Sequence, residues 1–461
     1  MENIVFGLPV ALWMLIGLIA VICVVFILLK RPIYEAMVVG FIYVILVSRQ
    51  YDQIWASVKG SILNTTTIAI CTFTLVGFIF EKIGVMDGVL DFTYSLTGRL
   101  YGGAGWVTIL ACAFMGALTG TVMASIAAVG VFAIPAMKKA GYRPEVAAAT
   151  SISAGCFGPM IPPSTTIILS AAIYEEIMGD AYNQGTYWTA VWLVALWFIL
   201  QRAINLIFAA RHDKVTPVPK EDLPKLGESF KRGWKALLIP VIIFIPFILY
   251  NSIPAVITDR LTADGAKAFN SCILLWIPMV TVAYCLLIGR KRVREIFKEN
   301  KNIAADWGKD LAKQISPLAV TIIFAQACAS MLSKAGIGPV ITEFIGGFGL
   351  SKLAMAIIIV FFFMLLGTVL SGTAMISVIG RTAAAALIAT GVNPLVACAV
   401  LPSLAASSGL TPPMAAGMYA CMGIAESGYK ETAIEMLKYL VCQMLVAVLI
   451  LCGILPLLGV G

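Results

Sequence analysis

Thr119-Gly-Thr-Val-Met-Ala-Ser125 has a near copy 252 positions further on, Ser371-Gly-Thr-Ala-Met-Ile-Ser377. Each copy is small and hydroxyl-rich, and each stands inside a long apolar run. At membrane depth every unsatisfied backbone or hydroxyl group costs several kcal/mol, so a polar interruption set there twice needs a purpose.

Around these stretches the chain is overwhelmingly apolar. Of its 461 residues 60% are hydrophobic and 12% charged, and the mean hydropathy is +0.96. Those values belong to an all-α polytopic membrane protein, with runs long enough to span at 6–29, 186–210, 234–250, 268–288 and 433–458. The first run lacks a basic flank and a small-residue cleavage site, so it is expected to be a retained helix. No long soluble stretch is present, which argues against a receptor with its own sensing domain or an anchored enzyme. The 11 cysteines fall singly, as buried thiols do, rather than as metal ligands or disulfides. The only histidine, His212, lies in a charged segment, so no enzymatic activity is expected. No P-loop appears, and ATP drive within the chain is not expected.

Basic loops explain the net charge of +8 and orient the spans. Lys30 and Arg31, then Lys138, Lys139 and Arg143, then 211–235 and 290–294 are placed inside; 174–184 and 251–264 are placed outside. Residues 1–210 then form one repeat, with spans 6–29, 34–48 and 65–80, an interfacial arm at 51–63, a re-entrant hairpin at 106–137, a broken helix at 145–172 and a last span at 186–210. A proline-rich cytoplasmic linker, 211–233, follows. Residues 234–461 repeat the order from the opposite side, with spans 234–250, 268–288 and 316–332, an arm at 303–314, a hairpin at 353–390, a broken helix at 394–424 and a closing span at 433–458. Trp55 with Trp307, Lys82 with Lys334, Gly84 with Gly336 and Gly120 with Gly372 share the offset of 252. Gly141 with Gly391, Pro144 with Pro394, and Pro162 and Pro163 with Pro412 and Pro413 share one of 250. Two inverted-topology repeats built around interrupted helices are the sequence pointer to a secondary transporter.

The paired prolines force each break, and non-helical backbone at that depth must be buried or line a cavity. Half-helix ends and carbonyls suit a cation, while half-helix N-termini suit a carboxylate. One cation site is expected from Thr119, Gly120 and Thr121 with Cys156, Gly158 and Pro159. The other is expected from Ser371, Gly372 and Thr373 with Ser408, Gly409 and Thr411. Thr121, Ser125, Ser164, Thr373, Ser377 and Arg381 are the candidates for substrate. The competing account is close helix packing at Gly116-x-x-x-Gly120 with prolines as plain kinks, and an Arg381 that merely snorkels. Neither hairpin contains Asp or Glu, so coupling by Na+ through neutral oxygens fits better than a carboxylate proton relay.

Gly120-Thr-Val-Met-Ala-Ser125, Ile134-Pro-Ala-Met-Lys-Lys-Ala-Gly-Tyr-Arg-Pro144, Gly158-Pro-Met-Ile-Pro-Pro-Ser164 and Leu410-Thr-Pro-Pro-Met414 together resemble the large membrane subunit of tripartite ATP-independent periplasmic (TRAP) transporters. The resemblance implies an elevator-type fold of the ion-transporter superfamily and a Na+-coupled importer (symporter) of a small organic acid, a carboxylate. It implies a bacterial or archaeal cytoplasmic inner membrane. It also implies two partners, a small four-helix membrane (Q) subunit and a periplasmic substrate-binding (P) protein. Ser125 stands where the dicarboxylate branch often carries an acidic residue, with another near Ser371, and Gly380-Arg381 where it tends to apolar residues and proline, so the chain reads as a divergent branch. The rival readings are a stand-alone carrier of the same superfamily and a passive channel.

Overall fold

The computed structural model describes residues 4–5, 8–83, 87–120, 122–162, 164–217, 225–252, 254–299, 302–335, 349–368, 370–412 and 415–457. Thr121, Pro163, Pro413, Gly84 and Gly336 lie outside the described residues. A two-residue antiparallel pair, Ile4–Val5 with Leu8–Pro9, precedes the first helix; the elements that follow are helices. Six helical stretches among the described residues are long and apolar enough to cross a membrane, including Gln184–His212, Ile303–Leu332 and Tyr429–Leu451. The chain is a multi-pass membrane protein.

Val10–Cys23 and Ile33–Ser48 pack with Ile303–Lys334 around a small apolar core of Leu18, Ile22, Met37, Phe41, Cys328 and Met331. The larger core joins Thr65–Ile83 to the middle and end of the chain. There Gly103–Thr119 and Val122–Lys139 lie side by side. Gly120 turns between them with φ +64°, the left-handed region that costs glycine least, and its N–H closes the first helix on the Gly116 carbonyl at 2.9 Å.

Each half contains an interrupted helix. Pro144–Gly155 and Phe157–Met160 are separated from Thr165–Met178 by the extended Ile161 and Ser164. Pro394–Ala405 tightens into a 3₁₀ turn, Ala406–Gly409, and the path resumes at Ala416–Ala425. Pro144 and Pro394 open their helices at the first position, where a missing N–H costs nothing.

Three local expectations change. The arm at 303–314 is not a separate element, since Ile303–Lys334 runs as one helix through Pro317. Alanine, leucine, lysine and glutamine carry the helix across that point, whereas the first arm, Ile54–Ile62, ends before Asn64. The two tryptophans also differ: Trp55 is 72% exposed, while Trp307 packs edge-on against Phe78 with ring centroids 6.3 Å apart. Second, 251–264 is largely helical rather than a loop, within Leu226–Ser252 and Pro254–Ile288, and bends at Thr262 with φ +63°. Its charged residues, Asp259, Arg260 and Asp264, supply no run of helix breakers. Third, the helix after the first break continues to Met178, which places Glu175 and Glu176 on a helix rather than in a loop.

Arg202, at the middle of Gln184–His212, is fully buried. Its guanidinium donates to Gln443 Oε1 at 2.5 Å, to Gln201 Oε1 and, at 3.5 Å, to the Ser153 carbonyl. It also lies 5.5 Å from the Phe157 ring and 5.9 Å from that of Phe198. Gln443 Nε2 donates in turn to the Ser403 carbonyl at 2.7 Å. Through this pair the helices Gln184–His212 and Tyr429–Leu451 each reach a carbonyl of an interrupted helix, those of Ser153 and Ser403. Half-helix C-terminal ends carry partial negative charge, which suits a cation there.

At one end of the bundle Arg143 bonds Asp213 at 2.8 Å, Glu145 at 3.1 Å and Glu435 at 3.3 Å. The Asp213 side chain is 1% exposed. Burial pushes its carboxyl up, but hydrogen bonds from His212 and from the Arg143 backbone and side chain hold it below the usual range. The pairing correspondingly raises Arg143.

Two outcomes follow from these contacts. Gln443→Leu strips a buried guanidinium of a partner and should lower stability by about 3 kcal/mol, while Arg202→Met with Gln443→Leu should cost less than Gln443→Leu alone. Unfolding in detergent reads both. Because Asp213 is depressed in the folded state, its contribution is complete above its ordinary value of 3.8 and is lost as pH falls through the folded value. Asp213→Asn should therefore flatten the acid side of the stability profile, measured by thermal unfolding across that range.

Candidate functional site

Small residues let each hairpin touch its interrupted helix backbone to backbone. A Cβ at Gly116 would lie 2.7 Å from the Gly158 nitrogen, and one at Gly372 2.7 Å from the Ala405 carbonyl oxygen. Gly367, on the second hairpin's entering arm, faces Thr411 Oγ1 and the Ser408 backbone in the same way, at 3.1 and 3.2 Å. The two interruptions also meet each other, since a Cβ at Gly409 would fall 2.7 Å from Cys156 Sγ. Hairpin backbone and break are therefore adjacent in both halves, at Gly116 with Gly158, at Gly372 with Ala405 and at Gly367 with Ser408. Gly120 is buried at its turn, and Thr121 lies outside the described residues.

The hydroxyls at the breaks satisfy carbonyls that the helices leave orphaned. Ser164 donates to the Pro159 carbonyl at 2.9 Å and accepts the Ile167 N–H at 3.3 Å as an N-cap. Thr166 donates to the same carbonyl at 2.7 Å. The two hydroxyls also lie 2.9 Å from each other, so the Pro159 carbonyl sits in a hydroxyl cluster at the break. In the other half Ser408 donates to the Ala405 carbonyl at 2.9 Å and Thr411 to that of Ser407. Ser371 caps its helix by accepting from the Ala374 N–H at 3.4 Å. A hydroxyl that donates keeps lone pairs, so Ser408 and Thr411 can still face a cation. Ser407 Oγ beside them is buried without a hydrogen-bond partner, which fits a neutral-oxygen donor set at this break.

A cavity of about 780 Å³ opens elsewhere, between the helix after the first break and the returning arm of the second hairpin. Ser57 and Ser61 of the first arm and Gln326 and Lys334 of the Ile303–Lys334 helix close its other side. Of the six substrate candidates, Ser377 and Arg381 line it; Ser125, Ser164 and Thr373 do not. Ser125 is buried inside the first hairpin, and Ser164 is committed to its cap. The side of the second hairpin, rather than its tip at Ser371–Thr373, borders the open space.

Ser377 and Arg381 are four residues apart and share one face. The arm carries a π turn, Ile376–Gly380, directly before Arg381. Such widened turns recur at functional sites because they re-aim the side chains around them. Ser377 Oγ is buried there without a hydrogen-bond partner. The Arg381 guanidinium forms an ion pair with Glu176, and Lys334 donates to Gln53 Oε1 at 2.7 Å. The sequence reading missed Glu175 and Glu176 at this cavity, although two adjacent acidic residues close to an apolar helix were a usable signal.

Comparison with known proteins matches this architecture. The family model for the tripartite ATP-independent periplasmic transporter, DctM component, matches residues 4–458. The sialic acid TRAP transporter large permease protein SiaM of Vibrio cholerae is 22% identical over 392 residues, covering 85% of each chain. The C4-dicarboxylate TRAP transporter large permease protein DctM of Pseudomonas aeruginosa is 33% identical over 178 residues, covering 39% of this chain and 40% of that one. The YdaH transporter of Alcanivorax borkumensis shares the fold, with a TM-score of 0.61 and 17% identity over 96% of this chain and 97% of that one. With its family matched from end to end, the chain belongs to the DctM-component permeases of the tripartite ATP-independent periplasmic transporters.

Proposed function

We propose that the protein is the subunit that carries a small organic acid through the inner membrane, coupled to Na+, in an elevator motion of hairpins and interrupted helices against the remaining helices. The cavity carries this reading. It sets a guanidinium and an unpartnered hydroxyl where parts of both halves meet the Ile303–Lys334 helix, the chemistry that recognises a carboxylate. Relatives named for sialic acid and C4-dicarboxylates support an anionic substrate. The organisation of the family supports a small four-helix membrane subunit and a periplasmic binding protein as partners.

Na+ is assigned to the two hairpin-to-break junctions. Thr119, Gly120, Thr121, Cys156, Gly158 and Pro159 are assigned to the first; Ser371, Gly372, Thr373, Ser408, Gly409 and Thr411 are assigned to the second. Neutral oxygens and half-helix ends are what these places offer, and the transporter uses them to make substrate binding depend on the ion gradient.

Uptake of labelled carboxylates into proteoliposomes holding the assembled transporter, with and without a Na+ gradient, is the test. Uptake indifferent to Na+ would sink the coupling claim. Thr373→Val should raise the Na+ concentration for half-maximal uptake about tenfold, equivalent to ~1.4 kcal/mol, and Thr121→Val should act in the same direction.

A further inference from the structure

We infer that Glu176 is a resident carboxylate that occupies Arg381 in the unloaded carrier and is displaced by the carboxylate of the substrate. The inference rests on reading the cavity as the substrate site. It adds a residue of the first half that decides which molecules can use it.

Arg381 belongs to the second hairpin, on the stretch Arg381–Ala389, and Glu176 to the helix Thr165–Met178 that follows the first break. Their ion pair therefore spans the two halves inside the cavity wall. A guanidinium in a membrane domain must be matched by an anion or by several carbonyls. Arg202 takes the second solution; Arg381 takes the first. Its planar fork can donate to any carboxylate, so exchanging one carboxylate for another preserves the charge balance. Ser377, one turn earlier on the same face, adds a buried hydroxyl without a partner in the protein. Guanidinium and hydroxyl together make a seat for a carboxylate, and Glu176 holds half of it.

Exchange has two consequences. A neutral analogue cannot replace Glu176 without stranding a charge, so the pair enforces selection for anions. Substrate arrival also parts the first half's interrupted helix from the second hairpin, linking occupancy to the contact between halves.

The test uses the assembled transporter in proteoliposomes, with succinate and N-acetylneuraminate as probes, read by uptake and by ligand-induced thermal shift. Glu176→Gln should lower the half-saturating probe concentration about tenfold, since the internal competitor is gone, and Arg381→Gln should raise it at least about tenfold. In the Arg381→Gln background Glu176→Gln should have no further effect, whereas Glu176→Asp should keep the wild-type response. A purely structural Glu176 would instead weaken both probes' effects in either background, and that result overturns the exchange. Half-saturation unchanged in Glu176→Gln while Arg381→Gln raises it also overturns the exchange but leaves the cavity reading standing. A response to neither probe, or one independent of Arg381, overturns the cavity reading and the exchange with it.

Discussion

A guanidinium buried in a membrane domain has few ways of being satisfied, and the way Arg202 is satisfied holds the two halves together. It lies against the Ser153 carbonyl, the Phe157 and Phe198 rings and Gln443, which itself reaches the Ser403 carbonyl. Removing any of these contacts leaves charge in a medium that solvates it poorly. The helices Gln184–His212 and Tyr429–Leu451 are thereby clamped onto the two interrupted helices. Neither half completes this arrangement alone.

Around that clamp, the irregular backbone is covered by close approach rather than by large side chains. Gly116 rests on Gly158, Gly372 on Ala405, and Gly409 on Cys156. A methyl group at any of these places would force backbone or a buried thiol to move. Orphan carbonyls at the breaks are met by hydroxyls from the same segments, Ser164 and Thr166 on Pro159 and Thr411 on Ser407. The same hydroxyls let the breaks exist in a membrane without orphaned carbonyls. The open cavity lies apart from them, where hairpin, interrupted helix and the Ile303–Lys334 helix meet.

Much of this was legible in one dimension. The duplicated Thr119–Ser125 and Ser371–Ser377 stretches, the paired prolines and the run lengths identify an all-α membrane transporter, because bilayer thickness and backbone satisfaction leave few alternatives. Two boundaries differ in the folded chain: 251–264, placed outside by its charges, is largely helical, and the amphipathic 303–314 continues into the next helix. Asp, Arg and Lys mark a surface, but they do not end a helix.

Sequence by itself determined the membrane class, the two hairpins' polar segments and the family, since each follows from local composition and recurring motifs. Tertiary structure alone decided which polar groups meet. Ser164 became a cap while Ser377 stayed unpartnered, although both looked alike as hydroxyls in apolar surroundings. Arg381 found Glu176 across 205 positions, and Arg202 found Gln443 across 241. Such partners are set by how the two halves pack, and the free energy of burying a charge depends on those partners rather than on the residue itself.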